Sequence, residues 1–240
     1  KIEHYPFQDF RSVGSPKNNI VKSTVTGTSV QNITPVRAVT LTYGLDFYKR
    51  DWQGDVYSSL TGKQLNGNLI PSVDSLNLGA YVQSDISAGR WAFSSGFRLD
   101  RFQQEAEEEL LFSSLVTEEN KQVDVLPGGQ VSGSYFPWEN TEIFAGIGRS
   151  LRPPTSNERY IQGNPSFYGN PELKPAANTE FDLGFRLNRD FLYLQVKGFY
   201  SSIDNHIYQE KNGEEIRSYT NINAHIYGGD IQAELILPKS

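Results

Sequence analysis

The sequence contains no cysteine, which excludes disulfides and thiolate metal sites. It also lacks any run of about 20 apolar residues, the length that a membrane-spanning helix needs. No basic cluster is dense enough to indicate nucleic acid as a partner, and the net charge is −6. An exported protein and an intracellular one are both compatible with these absences.

Recognisable sites of chemistry are equally scarce. The chain has no Ser, His and Asp order of a hydrolase and no phosphate-binding glycine loop. His4, His206 and His225 are far apart, and none has the spacing of a metal ligand. The acidic run 105–109 is interpreted as a solvated loop. The sequence therefore predicts no enzyme, no cofactor and no metal centre.

What the sequence does contain is alternation. Leu192, Leu194 and Val196 fall on one face of an extended strand, and Gln195 and Lys197 fall on the other. Similar segments place their charges on the polar face each time. We therefore predict a sheet whose apolar face meets lipid and whose polar face lines a wet lumen.

The polar-face charges could be mistaken for catalytic carboxylate pairs. Distributed one or two per strand, they are interpreted instead as lumen charges that form ladders with their neighbours. They are Arg98, Asp100, Glu180, Asp182, Arg186, Asp230 and Glu234.

Nine strand-like segments follow one another without a competing helical period. They lie at about 21–33, 38–50, 76–86, 90–104, 121–136, 141–152, 178–187, 191–208 and 217–237. Short connections at 34–37, 87–89, 137–140 and 188–190 alternate with long polar ones at 51–75, 105–120, 153–177 and 209–216. In transmembrane barrels the short connections form the periplasmic rim and the long ones the extracellular rim.

The fold class predicted is all-β, an antiparallel transmembrane β-barrel. Aromatic residues gather beside the short turns, as an interfacial girdle would; they are Trp91, Tyr135, Trp138 and Phe191. A closed antiparallel barrel needs an even number of strands. About nine strands therefore predict that residues 1–240 are a partial barrel domain that lacks strands at both ends.

Five segments carry a family resemblance. They read GAYVQSDISAGRWAFSSGFRLDRF (79–102), FAGIGRSLRPPTSNERY (144–160), GNPELKP (169–175), NTEFDLGF (178–185) and YTNINAHIYGGDIQAEL (219–235). In order and spacing they resemble the TonB-dependent outer-membrane receptors.

The resemblance implies a 22-stranded barrel with an N-terminal plug domain inside it, of which this sequence shows neither the plug nor a TonB box. It implies part of a bacterial outer-membrane receptor that captures a scarce ligand, such as an iron–siderophore or a similar chelate. The ligand would be imported into the periplasm with energy from TonB. Expected partners are that ligand, outer-membrane lipid and the TonB complex, the last through the absent N-terminal region.

Two short motifs bear on the ligand. LRPP (151–154) and NPEL (170–173) occupy the places where haem-uptake members of the family carry FRAP and NPNL boxes. Those members have a histidine between the boxes that can ligate iron, and residues 155–169 contain none. This departure disfavours haem, and the boxes alone select no ligand.

Arg152, Arg159 and Tyr160 are the candidate ligand-binding residues on the extracellular rim. A planar guanidinium can bind two oxygens of an anionic or catecholate ligand at once. The competing interpretation is a loop held in place by pairs between Arg and carboxylate groups and stiffened by Pro153 and Pro154. For the chain as a whole, the alternative function is a soluble all-β binding or adhesion module.

Overall fold

The computed structural model describes residues 2–9, 17–106, 121–163, 167–212 and 216–235, and these contain one sheet and one short helix. The long strands are β1 (Ile2–Asp9), β2 (Lys17–Val36), β3 (Val39–Ser58), β4 (Gln64–Ala88), β5 (Trp91–Ala106), β6 (Lys121–Trp138), β7 (Thr141–Arg152), β10 (Ala176–Arg189), β11 (Leu192–Asn212) and β12 (Ile216–Leu235). Between β7 and β10 lie α1 (Ser156–Tyr160), β8 (Gln162–Gly163) and β9 (Phe167–Tyr168).

The ten long strands pair in chain order as one antiparallel meander. Each long strand binds the next through backbone N–H and C=O groups, and the sheet continues past β12 with β9, which crosses over to pair in parallel at Arg217 and Phe167, and then β8. Among the described residues, no pairing joins β1 to β12, so the sheet is open. The all-β barrel prediction is confirmed as an arc of a larger barrel.

The predicted short turns are present and tighter than expected. Residues 37–38, 89–90, 139–140 and 190–191 are two-residue turns that all lie at one rim. Gly89 adopts φ 61° at its turn, a conformation that costs glycine little because it has no Cβ. The last two predicted segments pair antiparallel as β11 and β12, as an antiparallel barrel requires, whereas residues 236–237 lie outside the described part.

Two predicted loops are wrong. Residues 51–75 are mostly strand, because β3 runs to Ser58 and β4 begins at Gln64. The β3–β4 register shifts between Trp52 and Tyr57, and such bulges erase the period of two while pairing continues. Residues 209–212 likewise prolong β11 instead of starting a loop.

The element count also differs from the prediction. The structure contains β1, which pairs with Lys17–Thr24 of β2, so the long strands number ten instead of nine. Helix α1 was not predicted, since five residues are too few to show a helical period. The predicted loop at 105–120 falls largely on 107–120, which lie outside the described residues.

Exposure alternates along the strands as the sequence predicts. In β5, Phe93, Phe97 and Leu99 are exposed on one face, whereas Phe102 and Gln104 of the other face are buried. The predicted turn aromatics lie at the short-turn rim, where the Trp91 and Tyr135 rings are 4.5 Å apart. Among the described residues, no helix is both long and apolar enough to cross a membrane.

The charges of the inner face form cross-strand ladders. Arg98 binds Asp46 and Asp100, each at 2.6 Å. Lys197 binds Asp182 at 2.6 Å, and Arg186 binds Glu142. Arg186 also donates to Gln195, so Gln195 and Lys197 lie on the polar face, and Leu194 and Val196 point the opposite way.

Because the sheet has one apolar and one polar face, a substitution by Arg should lower the free energy of unfolding more on the apolar face than on the polar face. Leu183 is 53% exposed on the apolar face about midway along β10, and Leu183→Arg should cost roughly 2–4 kcal/mol when this face meets lipid. Ser132 aligns with Gly146, which aligns with Asp182, so Ser132→Arg places its charge on the polar face and should cost well under half as much. Urea titration of both variants in phospholipid vesicles measures the difference. Equal costs would contradict the assignment of faces.

Candidate functional site

The segment between β7 and β10 folds onto the inner face of the sheet, and we call its described part, residues 153–163 and 167–175, the inner loop. It begins with two prolines and then forms α1 behind an N-terminal capping box. The Thr155 hydroxyl accepts from the Glu158 N–H at 3.2 Å, and the Glu158 carboxylate accepts from the Thr155 N–H at 2.7 Å. The capping box thus stabilises a helix that, at five residues, is too short to be stable by itself.

Arg159 is the centre of the contact between the inner loop and the wall. Its side chain is 1% exposed and donates to Gln104 Oε1 of β5 at 2.9 Å and to Asp124 Oδ2 of β6 at 2.8 Å. It also donates to the Leu173 carbonyl at 2.9 Å, near the far end of the loop. A buried charge requires such partners, so these bonds fix where α1 lies.

Hydroxyl and amide groups extend this contact to β4. Gln104 Nε2 donates to Ser156 Oγ at 3.2 Å and to Ser75 Oγ at 3.5 Å. The two serine hydroxyls are 3.4 Å apart. Three strands of the wall, β4, β5 and β6, are thereby bonded to one helical turn.

Tyr160 anchors the apolar part of the loop. Its side chain is fully buried against Ile70, Val73 and Ala106, together with Ile161 of the loop itself. Burial raises the pKa of the phenol to about 12. Within the described residues, the Tyr160 hydroxyl and the Arg159 Nε have no hydrogen-bond partner.

The NPEL motif attaches the loop to the opposite end of the arc. The Asn170 N–H donates to the Glu158 carbonyl at 2.9 Å, and its side-chain amide donates to the Tyr219 carbonyl of β12 at 3.0 Å. A Cβ on Gly169 would collide with the backbone of Arg159 and Tyr160, so only glycine allows this approach. The NPEL motif therefore has a structural role, since its Asn170 connects the inner loop to β12.

A second connection between the inner loop and β12 lies beside the first. Asn221 of β12 accepts from the Lys174 N–H at 2.9 Å and donates to the Lys174 carbonyl at 3.1 Å. The Phe167 ring packs on Tyr219 at 5.4 Å. The inner loop consequently spans from β4 at one side to β12 at the other, across the concave face of the sheet.

Arg152 differs from Arg159 in being accessible. Its guanidinium binds both carboxylate oxygens of Glu158, at 2.8 and 3.1 Å, and its side chain remains 49% exposed. Burial opposes ionisation of Glu158, but the bonds from Arg152 and Thr155 outweigh it and lower the pKa of that carboxyl. Arg152 therefore has a fixed orientation with donors still open to solvent.

An open trough of about 680 Å³ runs along the inner face of β4 to β10. Small residues such as Gly96, Gly146 and Gly148 line it, together with the charged side chains of Arg98 and Glu180. No group of three or more His, Asp or Glu side chains in the described part of the chain could hold a metal ion. The trough offers polar and ionic contacts to whatever occupies it.

The structure brings the three predicted site residues together but in different settings. Arg152 is exposed, whereas Arg159 and Tyr160 belong to the loop that was expected to face the medium and are buried between that loop and the sheet. Sequence reasoning missed Gln104, Asp124 and Asn221, whose roles depend on contacts between distant segments. Ligand binding by Arg152, Arg159 and Tyr160 stays a prediction.

Comparison with known proteins identifies the architecture. The model of the family described as "TonB dependent receptor-like, beta-barrel" matches residues 4–236. No curated protein matches the sequence.

Several solved structures share the fold. The copper transporter OprC has a TM-score of 0.82 and 22% identity, covering 99% of this chain and 39% of that one. The Serratia marcescens hemophore receptor HasR, in complex with hemophore and heme, has a TM-score of 0.67 and 16% identity, with coverages of 91% and 40%. The ferric yersiniabactin uptake receptor FyuA from Yersinia pestis has a TM-score of 0.62 and 15% identity, with coverages of 96% and 35%. The chain thus spans about two-fifths or less of each, and the likeness shows the fold alone.

The buried ion pair between Arg159 and Asp124 should be required to keep the inner loop attached to the sheet. Asp124→Ala leaves the Arg159 charge buried and unpaired, which should destabilise the closed loop by about 3–5 kcal/mol. Amide exchange at Gly169 and Asn170, whose N–H groups bond within the loop, should then accelerate in the whole receptor.

The matched control is Asp204→Ala. Asp204 is 3.5 Å from Arg149, and both side chains are about half exposed, so its loss should change exchange little. Heat-modified mobility verifies that both barrels assemble. Unchanged exchange in Asp124→Ala would show that other contacts hold the loop.

Proposed function

The chain belongs to the TonB-dependent receptors, and on that premise we propose that it forms ten wall strands of a receptor in a bacterial outer membrane. The whole receptor captures an iron–siderophore or a similar chelate and imports it into the periplasm with energy from TonB. The observation that carries this proposal is the two-faced meander whose inner face holds charges and a fixed loop. The family assignment disfavours the alternative of a soluble all-β module.

The inner face supports a transport role. Its ladders keep Arg98, Lys197 and Arg186 paired with carboxylates, and the lumen face is polar with carboxylates in excess of cations. Such a surface can hold a plug domain through exchangeable ionic contacts without binding it irreversibly. The plug and the TonB contact belong to the whole receptor and are part of the proposal.

The inner loop supports capture of a chelate at the outer rim. Its backbone is fixed by Arg159, Tyr160 and Asn170, so little conformational entropy is lost when a ligand binds. Arg152 presents open donors beside this rigid segment, which suits an oxygen-rich anion. We propose that Arg152 contacts the ligand, while Arg159 and Tyr160 affect capture by holding the loop.

The function is tested in cells that lack this receptor. A panel of iron sources should include catecholate, hydroxamate and phenolate ferric siderophores, with haem and cobalamin as comparison nutrients. We expect loss of growth on one ferric siderophore, restored by the intact gene and abolished again when TonB is deleted. Growth that is independent of TonB, or loss confined to haem, would contradict the proposal.

The role of Arg152 is tested by comparing its substitution with that of its partner. Arg152→Ala and Glu158→Ala both break the same ion pair, but only the second leaves the guanidinium free for a ligand. The probe is the ferric siderophore that the growth test selects. If Arg152 contacts it, Arg152→Ala should lower the affinity of the receptor for that siderophore about tenfold, more than Glu158→Ala does. If Arg152 only supports the loop, Glu158→Ala should be at least as damaging, because it also removes the helix cap.

A further inference from the structure

The outward faces of three alternate strands repeat one pattern. In β3, β5 and β7, a cation stands two positions beyond an exposed apolar side chain: Lys49 follows Phe47, Arg101 follows Leu99 and Arg149 follows Ile147. Two positions along a strand return to the same face. All three cations therefore point away from the lumen and the inner loop, at the end of the apolar surface nearest the long connections.

The three cations lie at nearly one level of the wall. The intervals from the short turns, from Ala38 to Lys49 and from Arg90 to Arg101, are both eleven residues, and the interval from Asn140 to Arg149 is nine. At about 3.3 Å per residue and a tilt near 40°, these intervals rise roughly 23–28 Å. The apolar band of an outer-membrane barrel is about 25 Å tall. The cations thus stand where hydrocarbon gives way to head groups.

Their local partners differ. Lys49 is paired with Asp51 and Asp74, at 3.0 and 2.9 Å, so its charge is already balanced. Arg149 donates to Thr179 at 2.8 Å and is 3.5 Å from Asp204. In the described part of the chain, Arg101 donates only to Gln103, at 3.4 Å.

The nearest carboxylate to Arg101 on the outward face of β5 is otherwise engaged. Glu105 of β5 is 3.5 Å from Lys121 across the β5–β6 pair. Arg101 and Arg149 therefore retain exposed guanidinium donors at the membrane boundary. No lumen ligand can reach them, because the wall itself lies between.

We propose that Arg101 and Arg149 bind phosphate groups of a phosphorylated glycolipid in the outer leaflet, an inference that rests on the proposed outer-membrane function. The guanidinium fork matches two phosphate oxygens, and its aliphatic stem can lie along the apolar band. Acyl chains would cover Phe97, Leu99 and Ile147 directly below. The side chains of Gln103 and Thr179 provide hydrogen-bonding groups for the adjoining sugar.

The test uses the whole receptor in a neutral detergent, with lipid A and its enzymatically dephosphorylated form as probes, measured by native mass spectrometry. Wild-type receptor should prefer the phosphorylated lipid. The double variant R101Q/R149Q should lose about fivefold in affinity per arginine and with it that preference. The variant R101K/R149K, which keeps both charges, should retain much of it.

The matched control is R90Q/R189Q, which removes two exposed arginines at the short-turn rim and should leave the preference intact. Equal binding of both lipids by the wild type, or an unchanged preference in R101Q/R149Q, would overturn the lipid site while leaving the transport proposal untouched. A receptor that does not fractionate with the outer membrane would overturn the proposed function instead.

Discussion

The constraint on which this structure depends is that a chain in hydrocarbon must satisfy every backbone polar group internally. The meander does so by pairing each long strand with its sequence neighbour, from β2 and β3 through to β11 and β12. Once the backbone is committed in this way, side chains can only point to one of two faces. The apolar outer surface and the charged inner ladders are both consequences of that division.

The inner loop obeys a different constraint, because its polar groups are removed from bulk water by the wall and by one another. Arg159 is bonded to two wall strands and to the loop's own carbonyl, and Asn170 and Asn221 complete the far end. Polar groups at this depth are stabilising only when their partners are in place. The loop is accordingly held in one position, and that position sets the accessibility of Arg152.

The sequence was informative wherever one face meets lipid and the other meets water. Leu183 and Phe97 alternate with charges there, so most of the strands, the short turns and the polar face could all be predicted. Between Trp52 and Tyr57 the β3–β4 register shifts, the alternation of apolar and polar residues is lost, and this part of both strands was predicted as a loop. The bonds of Gln104 and Asp124 to Arg159 join residues 55 and 35 positions apart, and no local pattern encodes such contacts.

The inner loop joins β4, β5 and β6 to β12, and the strands between them form a curved arc. The inner loop links two distant parts of this curved sheet. Flattening the sheet would move those parts away from each other and strain the hydrogen bonds of Asn170 and Asn221. The seven strands from β4 to β12 are thus linked through one loop as well as through their own pairing. A load applied to one of these strands would therefore pass to the others along two routes, the backbone ladder and the inner loop.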